Sequence, residues 1–304
     1  MYKSIEVNSI TNRATKLFNN TCIKFNELLL KYNNNKKLKK TLIIYWDSYG
    51  NNELNLFSNK YIIKNIHRKH HNYLCNKKIC SNHIKKLKLY KYYPKTYNNL
   101  YEINNISNTK LFFIKEIYST GGKGIKCMNG KELINYKINE NEIIQEGIVD
   151  LKLIDNKKFV IRAYIIIFNN KIYLSKHSLC IVHGKKYNKI SKSYEIQIKH
   201  TVGEGIIPLV ETIFYSYINN IKEALFNMKE LFKPIIDNSK DKYIIIGPDI
   251  LITNDGEIKF LEFNTFPNIN WVTNKEKKIK ENMLFDLFNL VFFNYKSDTL
   301  LLVD

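Results

Sequence analysis

Apolar residues recur along the chain at two different spacings, which predict both helices and strands. Repeats of three and four positions predict helices at residues 10–32, 210–232 and about 274–294. Short, nearly continuous apolar runs predict buried strands at residues 41–47, 111–117, 141–148, 158–168 and 171–182. The basic stretch 60–92 is predicted to be mostly helical. The chain therefore combines both kinds of element.

Turn residues separate these runs and join neighbouring strands. Asn169-Asn170 links the strands 158–168 and 171–182, and Asn129-Gly130 is predicted to turn the chain after a strand. Asp255-Gly256 is predicted to be a two-residue hairpin loop between two further apolar runs. Strands joined in this way predict an α+β fold rich in antiparallel pairs in the last two thirds of the chain.

Three polar residues interrupt the hairpin predicted at residues 247–264: Asp249, Glu262 and Asn264. If Asp255-Gly256 is the loop, Asp249 faces Glu262 with Cβ atoms roughly 4.5–5.5 Å apart, and the two like charges repel each other. Asn264 shares the face of Glu262. A hard cation such as Mg²⁺ would relieve the repulsion, because it takes oxygen ligands. The alternative is a wet sheet edge that leaves both acids solvated.

The chain of 304 residues is strongly basic, with 48 Lys and Arg against 28 Asp and Glu and a formal net charge of +20. Such an excess favours an acidic partner: an acidic polypeptide, nucleic acid or an anionic membrane. The alternative is compositional drift, since Lys, Asn and Ile are frequent everywhere in the sequence.

Cysteine usage and hydropathy favour an intracellular protein. The five cysteines are scattered and odd in number, which predicts a reducing compartment rather than a disulfide framework. The start MYKSIEVNSI does not resemble a signal peptide, and no apolar run approaches the ~20 residues of a membrane helix. We therefore expect a cytoplasmic protein with no membrane segment.

Several further residues suggest ligand chemistry. Lys115 near a strand end and the Gly-rich segment 119–124 form one way to hold a polyphosphate, although Gly-rich hairpin tips are common. Arg162 interrupts an apolar strand and needs a partner, which could be phosphate or a carboxylate such as Glu262. The His/Cys-rich stretch 67–83 could bind zinc or be a solvated basic helix.

The order of these features resembles the ATP-grasp ligases, and their details resemble the tubulin–tyrosine ligase-like family. The resemblance covers roughly residues 92–290 and rests on YYPKTY, TGGKGI, IIQEGI, KKFVIRAYIII, KIYLSKHSLCIVHGKKYN and GPDILI…FLEFNTFPN. It implies an α+β ATP-grasp architecture whose antiparallel sheets sandwich the nucleotide. The implied domains are a smaller N-terminal α/β domain (1–100), a central subdomain with the Gly-rich loop (101–148) and a C-terminal subdomain with the metal site (149–304).

The resemblance also implies a site for ATP and Mg²⁺. Lys115 would contact the α- and β-phosphates, and Arg162 would reach the γ-phosphate and an acyl-phosphate intermediate. The other implied nucleotide residues are Ser119, Thr120, Gly121, Gly122, Lys123 and Gly124 over the phosphates, Gln145, Glu146 and Ile148 around the adenine, and Lys158. The implied metal ligands are Asp249, Glu262 and Asn264.

The implied activity is ATP-dependent ligation of an amino acid to a protein, of the tyrosination, glutamylation or glycylation type. Its partners would be a free amino acid and an acidic polypeptide such as the tail of tubulin; nucleic acid is the less favoured polyanion. A ligase of the same superfamily acting on another carboxylate is a third reading.

The chain departs from the family's pattern at two positions. Val160 stands where the family usually has Asp, and Ile181 stands about where it has Arg; Lys176, His177, His183 or Lys185 would have to supply that charge. These departures favour an alternative function, a catalytically degenerate ATP-grasp module that binds acidic protein or nucleic acid.

Overall fold

Two β-sheets form the framework of the protein. The computed structural model describes residues 2–8, 15–32, 40–45, 60–119, 121–200 and 203–303. The strands are β1 (Tyr2–Asn8), β2 (Lys40–Tyr45), β3 (Lys60–Asn65), β4 (Thr96–Tyr97), β5 (Leu111–Glu116), β6 (Ile125–Asn129), β7 (Glu142–Glu146), β8 (Lys157–Phe168), β9 (Lys171–Lys186), β10 (Ile206–Pro208), β11 (Lys242–Ile252), β12 (Ile258–Thr265) and β13 (Leu300–Val303). The α-helices are α1 (Thr15–Tyr32), α2 (Asn72–Cys75), α3 (Lys77–Lys86), α4 (Gly130–Ile134), α5 (Tyr194–Gln197), α6 (Ile218–Asn227), α7 (Lys233–Ile236) and α8 (Asn274–Phe293).

The larger sheet has nine strands in the order β1-β2-β3-β11-β8-β9-β10, with β12 also paired to β11 and β13 to β9. The strands β1, β2 and β3 are parallel to one another, and β3 is parallel to β11. The strands β8, β9, β11 and β12 pair antiparallel. Their apolar runs are buried because helices cover both faces of this part of the sheet.

The smaller sheet contains β4-β7-β5-β6, and all of its pairs are antiparallel. One face of it packs on α4 through Phe112, Ile114, Met128, Leu133 and Ile144. The opposite face carries Phe113, Lys115 and Gln145 on alternate positions. The smaller sheet therefore presents a partly polar face.

Two apolar clusters cover the larger sheet. On one face, α1 and α8 pack against β8 and β11, and Phe25 lies between Phe288 and Phe292 at ring distances of 5.6 and 6.0 Å. On the other face, the chain from Leu209 to Ile236, which includes α6 and α7, packs on the side chains of the same strands that point to this second face. The domain boundaries predicted from the sequence stay predictions.

The single helix predicted at 210–232 is wrong. The structure has 3₁₀ segments at Leu209–Glu211, Ile213–Tyr217 and Lys229–Phe232, with α6 between the last two. Thr212 adopts an extended conformation, which ends the segment Leu209–Glu211. Its hydroxyl accepts from the Phe214 amide and so caps the start of the next segment, Ile213–Tyr217. Consecutive short helical turns bury residues at spacings of three and four as one long helix does, so the pattern did not reveal the breaks.

Three local predictions also need correction. The stretch 60–92 opens with strand β3, and helices begin only after it. Asn129-Gly130 is not a turn: Asn129 caps α4 together with Glu132 in a capping box. Strands β1, β4, β10 and β13 were not predicted from the sequence. The predicted helix 10–32 is confirmed as α1 from Thr15 onward, while residues 10–14 and 46–47 of the predicted elements lie outside the described residues.

Candidate nucleotide and metal site

A cleft between the two sheets brings together most of the site residues predicted from the sequence. The Lys158 ammonium of β8 lies 5.6 Å from the centre of the Phe113 ring of β5, so the two sheets face each other here. Lys115 of β5 is only 8% exposed, and Lys158 only 5%. Lys158 donates to the Gln197 carbonyl at 2.8 Å, but among the described residues neither ammonium has a carboxylate in hydrogen-bond contact. Two buried ammonium groups without such a partner are costly, which indicates a site built for an anion.

The carboxylates of the hairpin β11–β12 face each other as predicted, but the predicted loop is wrong. Ile252 pairs with Ile258, so the loop spans residues 253–257 and the register near it is shifted by one position. A bulge between Asp249 and Ile250 shifts the register back, because Leu261 on β12 has no partner on β11. Asp249 therefore pairs with Glu262 after all, and Gly247 with Asn264.

Arg162 forms a two-point ion pair with Asp249. Its Nε donates to Asp249 Oδ1 at 2.6 Å, and its Nη2 donates to Oδ2 at 2.9 Å. Burial lowers the pKa of Arg162, but the attraction of Asp249 outweighs that effect and the guanidinium stays charged. The carboxylate that partners Arg162 in this structure is thus Asp249, rather than the Glu262 considered from the sequence.

The remaining donors of the predicted metal set are Glu262 and Asn264. Asn264 Nδ2 donates to Glu262 Oε1 at 2.9 Å, so the two side chains are in contact. Two carboxylates and an amide oxygen on paired strands match the oxygen donors that Mg²⁺ takes beside phosphates. The residues present therefore fit Mg²⁺. Asp249 is bonded to Arg162 in this structure and could bind the ion when Arg162 pairs with a phosphate instead.

Burial lowers the pKa of both cleft lysines to about 8. For Lys115 the nearby Lys77 lowers the pKa further, while Glu262 and Asp249 raise it in part. For Lys158 the neighbouring Lys115 adds to the effect of burial. Each ammonium thus lacks the negative charge that would stabilise it fully, and the phosphates of a nucleotide would supply that charge.

We expect nucleotide binding to take up protons near pH 8–9. The unfolded chain, with lysine pKa near 10.5, binds more protons than the folded chain between about pH 8 and 10.5, so the free energy of unfolding rises with pH there. Phosphates raise both pKa values, so affinity falls as pH rises through about 8. Calorimetry in two buffers of different ionisation enthalpy measures this uptake. Equal heats in both buffers at pH 8.5 would contradict it, and Lys158→Met should reduce it.

The Gly-rich segment 119–124 follows β5, the strand that carries Lys115. Gly121, Gly122 and Gly124 have positive φ, a backbone conformation that L side chains rarely adopt. These backbone conformations explain the glycines. Lys123 is exposed, Ser119 Oγ donates to the Glu116 carbonyl at 3.1 Å, and Thr120 lies outside the described residues.

The residues predicted around the adenine lie at the end of β7. Gln145 is buried and its Nε2 donates to Thr96 Oγ1 at 3.2 Å. The Glu146 carboxylate accepts from the Tyr97 hydroxyl at 2.7 Å and pairs with Lys110 at 2.8 Å. Ile148 packs against the apolar cluster of Leu151, Val160 and Leu251. The Glu146 amide also donates to the Lys95 carbonyl at 2.9 Å, so both the side chain and the backbone N–H of Glu146 have partners within the protein.

Two further residues belong to the site: Lys77, which the sequence did not single out, and His183, which was considered from the sequence as a replacement for the missing Arg. Lys77, buried at the start of α3, donates to the Ser119 carbonyl at 2.5 Å. Burial lowers the pKa of Lys77, and the negative charge of Glu262 raises it in part. His183 of β9 lies near Lys158; burial and that charge lower its pKa to about 3, so it is neutral. In the sequence, Lys77 is hidden within a long basic run. His177, another replacement considered for the missing Arg, lies 3.5 Å from Asp286 on α8 instead.

The stretch 67–83 does not assemble a metal site. Among the described residues, no three His, Cys, Asp or Glu side chains form a group that could hold a metal ion. His71 packs on the Phe266 ring, His83 stacks on Tyr73, and Cys75 contacts Thr265 Oγ1 at 2.8 Å. All five cysteines of the chain are free thiols. No helix in the described part of the chain is long and apolar enough to cross a membrane.

Comparison with known proteins agrees with this geometry. The sequence model described as the tubulin-tyrosine ligase family matches residues 45–211, more than half of the chain. A probable tubulin–tyrosine ligase of Schizosaccharomyces pombe is 24% identical over an alignment of 165 positions, and the match covers 47% of this chain and 40% of that protein. The chain thus spans less than half the length of this curated relative.

A solved structure shares the fold over almost the whole chain. It is the C-terminal domain of Pby1 from K. lactis, an ATP-grasp enzyme that interacts with the mRNA decapping enzyme Dcp2. The TM-score is 0.66 at 15% sequence identity, and the match covers 99% of this chain and 98% of that one. The predicted α+β ATP-grasp fold is therefore confirmed.

Proposed function

The chain belongs to the tubulin-tyrosine ligase family, and from this premise we propose that it is an ATP-dependent ligase that joins an amino acid to a protein carboxylate through an acyl phosphate. The observation that carries the proposal is the convergence, in one cleft, of Lys115 and Arg162 with the carboxylates of Asp249 and Glu262. Cations for phosphates and oxygens for a metal ion are the two needs of a phosphoryl-transfer site.

The cleft residues act by position and charge. Lys115 and Lys158 hold the phosphates, and Arg162, released from Asp249, stabilises the negative charge that develops as the terminal phosphoryl group passes to the carboxylate. Asp249, Glu262 and Asn264 would hold Mg²⁺, which when bound neutralises phosphate charge. The amine of the amino acid then displaces phosphate and forms the amide.

The test of this function is ADP release measured with and without an acidic acceptor protein and a pool of amino acids. The proposal expects release that requires the acceptor and one amino acid together. Rapid ADP release that is indifferent to both would indicate an ATPase and contradict the proposal.

We propose an acidic polypeptide as the acceptor because the surface that leads along α3 into the cleft is strongly basic; the acid shown beside it is Glu102, which pairs with Lys85 at 3.4 Å. Between Glu53 and Glu102 the sequence has no Asp or Glu and eleven basic residues: Lys60, Lys64, Arg68, Lys69, Lys77, Lys78, Lys85, Lys86, Lys88, Lys91 and Lys95. Helix α3 starts at Lys77 in the cleft and ends at Lys86, roughly 14 Å away. An acidic tail lying along α3 would lead its carboxylates into the cleft.

Reversing two charges on this surface should weaken acceptor binding. Lys86 and Lys95 are exposed, and Lys86→Glu with Lys95→Glu should raise the KM for an acidic acceptor roughly tenfold while leaving kcat unchanged. Added salt should raise the wild-type KM in the same direction, because it screens exposed charges.

The matched control for this pair is Lys229→Glu with Lys240→Glu, two exposed lysines outside the acid-free segment. Steady-state kinetics on all three proteins makes the comparison. An equal rise in KM for both double variants would show that net charge alone, and not this surface, attracts the acceptor.

A second candidate function is a non-catalytic binding module. The observation that favours it is the Arg162–Asp249 ion pair. In this pair the group that would bind phosphate is bonded to a carboxylate that would bind the metal ion, so neither contacts a ligand. A module of this kind would bind the acidic protein without ADP release, and Arg162 would stay paired in the presence of Mg-ATP.

A further inference from the structure

The ammonium group of β8 that would hold a phosphate is covered in this structure. Lys158 is only 5% exposed, so a phosphate reaches it only after a covering element has moved. Two elements lie against it. The centre of the Phe113 ring of β5 is 5.6 Å from the ammonium, and the Gln197 carbonyl of α5 accepts a hydrogen bond from it at 2.8 Å. Either the smaller sheet or the segment that carries Gln197 must therefore give way to a nucleotide.

The smaller sheet is the more firmly held of the two. Strand β5 is hydrogen-bonded to β6 on one side and to β7 on the other, and its Phe112 and Ile114 are buried in the cluster that packs on α4. The segment 187–200, which follows β9 and contains α5, is different: its side chains from Asn188 to Glu195 are exposed or half-buried. Elements with few buried apolar contacts open at a low free energy. The segment is therefore the element that moves.

Hydrogen bonds within the segment 187–200 tie it into one body. The side-chain amide of Gln197 donates to the Asn188 carbonyl at 3.0 Å and to the Ser191 carbonyl at 2.9 Å. At the start of the segment, the Tyr187 amide donates to the Asn156 carbonyl at 2.7 Å and holds this end beside β8. A segment that keeps its own shape and is fixed at one end moves by a hinge at that end.

Two polar contacts among the described residues fasten the segment to the part of the chain that carries the smaller sheet. Lys192 forms an ion pair with Glu132 of α4, and the Tyr194 hydroxyl donates to the Gly122 carbonyl of the Gly-rich segment at 3.5 Å. Both members of the ion pair are exposed, and exposed pairs stabilise a structure only weakly. The distance of 3.5 Å is at the outer limit of a hydrogen bond. Weak contacts thus hold the segment over Lys158.

Resting on the proposed function, in which Lys158 holds a phosphate, we infer that the segment 187–200 is a gate of the nucleotide site. The gate leaves Lys158 before a nucleotide enters, and its contacts with Glu132 and Gly122 keep it closed in the free protein. The measured association rate constant is then that of the open molecules multiplied by the fraction of molecules that are open. Weakening the closing contacts therefore speeds association.

The test is stopped-flow measurement of the association rate constant for the Mg²⁺ complex of mant-ATP, a fluorescent ATP analogue, without acceptor. Lys192→Ala and Tyr194→Phe should each raise it roughly two- to fivefold, the effect of losing one weak surface contact. The double variant should exceed either single variant. Lys192 is replaced rather than Glu132 because Glu132 also caps α4. Loss of a positive charge would by itself slow the approach of an anion, so a faster rate reports the gate.

The matched control is Lys199→Ala. Lys199 is an exposed lysine of the same segment, but its ion pair with Glu195, at 2.9 Å, lies within the segment. This variant should associate no faster than the wild type. Unchanged rate constants in Lys192→Ala and Tyr194→Phe, or an equal increase in Lys199→Ala, would overturn the gate and leave the ligase proposal standing. No binding of mant-ATP to any of these proteins would overturn both proposals.

Discussion

Replacing Glu262 by Gln is expected to lower ADP release by at least about 100-fold while leaving the chain folded. The change removes one negative charge from the proposed metal ligands, and a metal ion at the phosphates contributes several kcal/mol to such a reaction. The amide oxygen of Gln can still accept from Asn264 Nδ2, the hydrogen bond that Glu262 accepts in the structure at 2.9 Å. Stability should therefore change little, and a thermal melt beside the turnover assay measures both effects.

The control for this change lies in the same hairpin. Glu257→Gln makes the identical substitution at an exposed carboxylate in the loop, where it pairs with Lys259 at 2.8 Å. Its turnover should match that of the wild type. Normal turnover in Glu262→Gln, or an equal loss in both variants, would contradict the assignment of Glu262 to the metal.

Replacing Arg162 by Ala is expected to lower the free energy of unfolding by about 3–5 kcal/mol, because it leaves the Asp249 carboxylate buried without its partner. Turnover should fall as well, because alanine leaves no cation at this position to stabilise the transferred phosphoryl group. Arg162→Lys should recover part of the stability, because it keeps one charge but loses the two-point contact. Urea unfolding of the three proteins gives the values.

A second substitution tests whether the buried charge is the cause. Adding Asp249→Asn to Arg162→Ala removes the unpaired carboxylate, so the double variant should be more stable than Arg162→Ala alone. A cost below about 1 kcal/mol for the single variant, or no recovery in the double variant, would show that the ion pair contributes little to the fold.

The facing of Asp249 and Glu262 was predictable from the sequence, but partly by compensation. Counting outward from an Asp-Gly loop pairs these residues, yet the real loop is longer and the bulge at Leu261 corrects the register. Bulges have no reliable mark in a single sequence, because they depend on how a strand packs against both of its neighbours. The prediction of the pair is confirmed, and its stated reason is wrong.

The partners of the buried charges were harder to predict. The position of Arg162 within an apolar strand indicated an anionic partner, but Asp249 lies 87 residues away and only the pairing of β8 with β11 brings them together. Lys77 illustrates the opposite difficulty: it stands among many lysines, and nothing local distinguishes the one that is buried against Ser119. Both facts depend on tertiary structure and not on local pattern.

The arrangement of the cleft could be predicted as a whole because several motifs agreed in order. Lys115, Arg162 and the carboxylate pair each allow a structural explanation when taken singly. The order in which these motifs follow one another along the chain matches one family, and the structure brings them close together. Val160 and Ile181 were recognised as departures from the sequence, but only the structure shows that they face each other.

The most direct test of the central proposal follows an oxygen atom. An acidic acceptor peptide whose carboxylates carry ¹⁸O is incubated with the protein, Mg-ATP and the amino acid that supports ADP release, and the released phosphate is analysed by mass spectrometry. Formation of an acyl phosphate transfers one labelled oxygen from the carboxylate to each phosphate released with product. The proposal predicts phosphate heavier by one ¹⁸O, in equal amount to the amide formed. Unlabelled phosphate would mean that water, and not the carboxylate, receives the phosphoryl group, and would contradict the proposal.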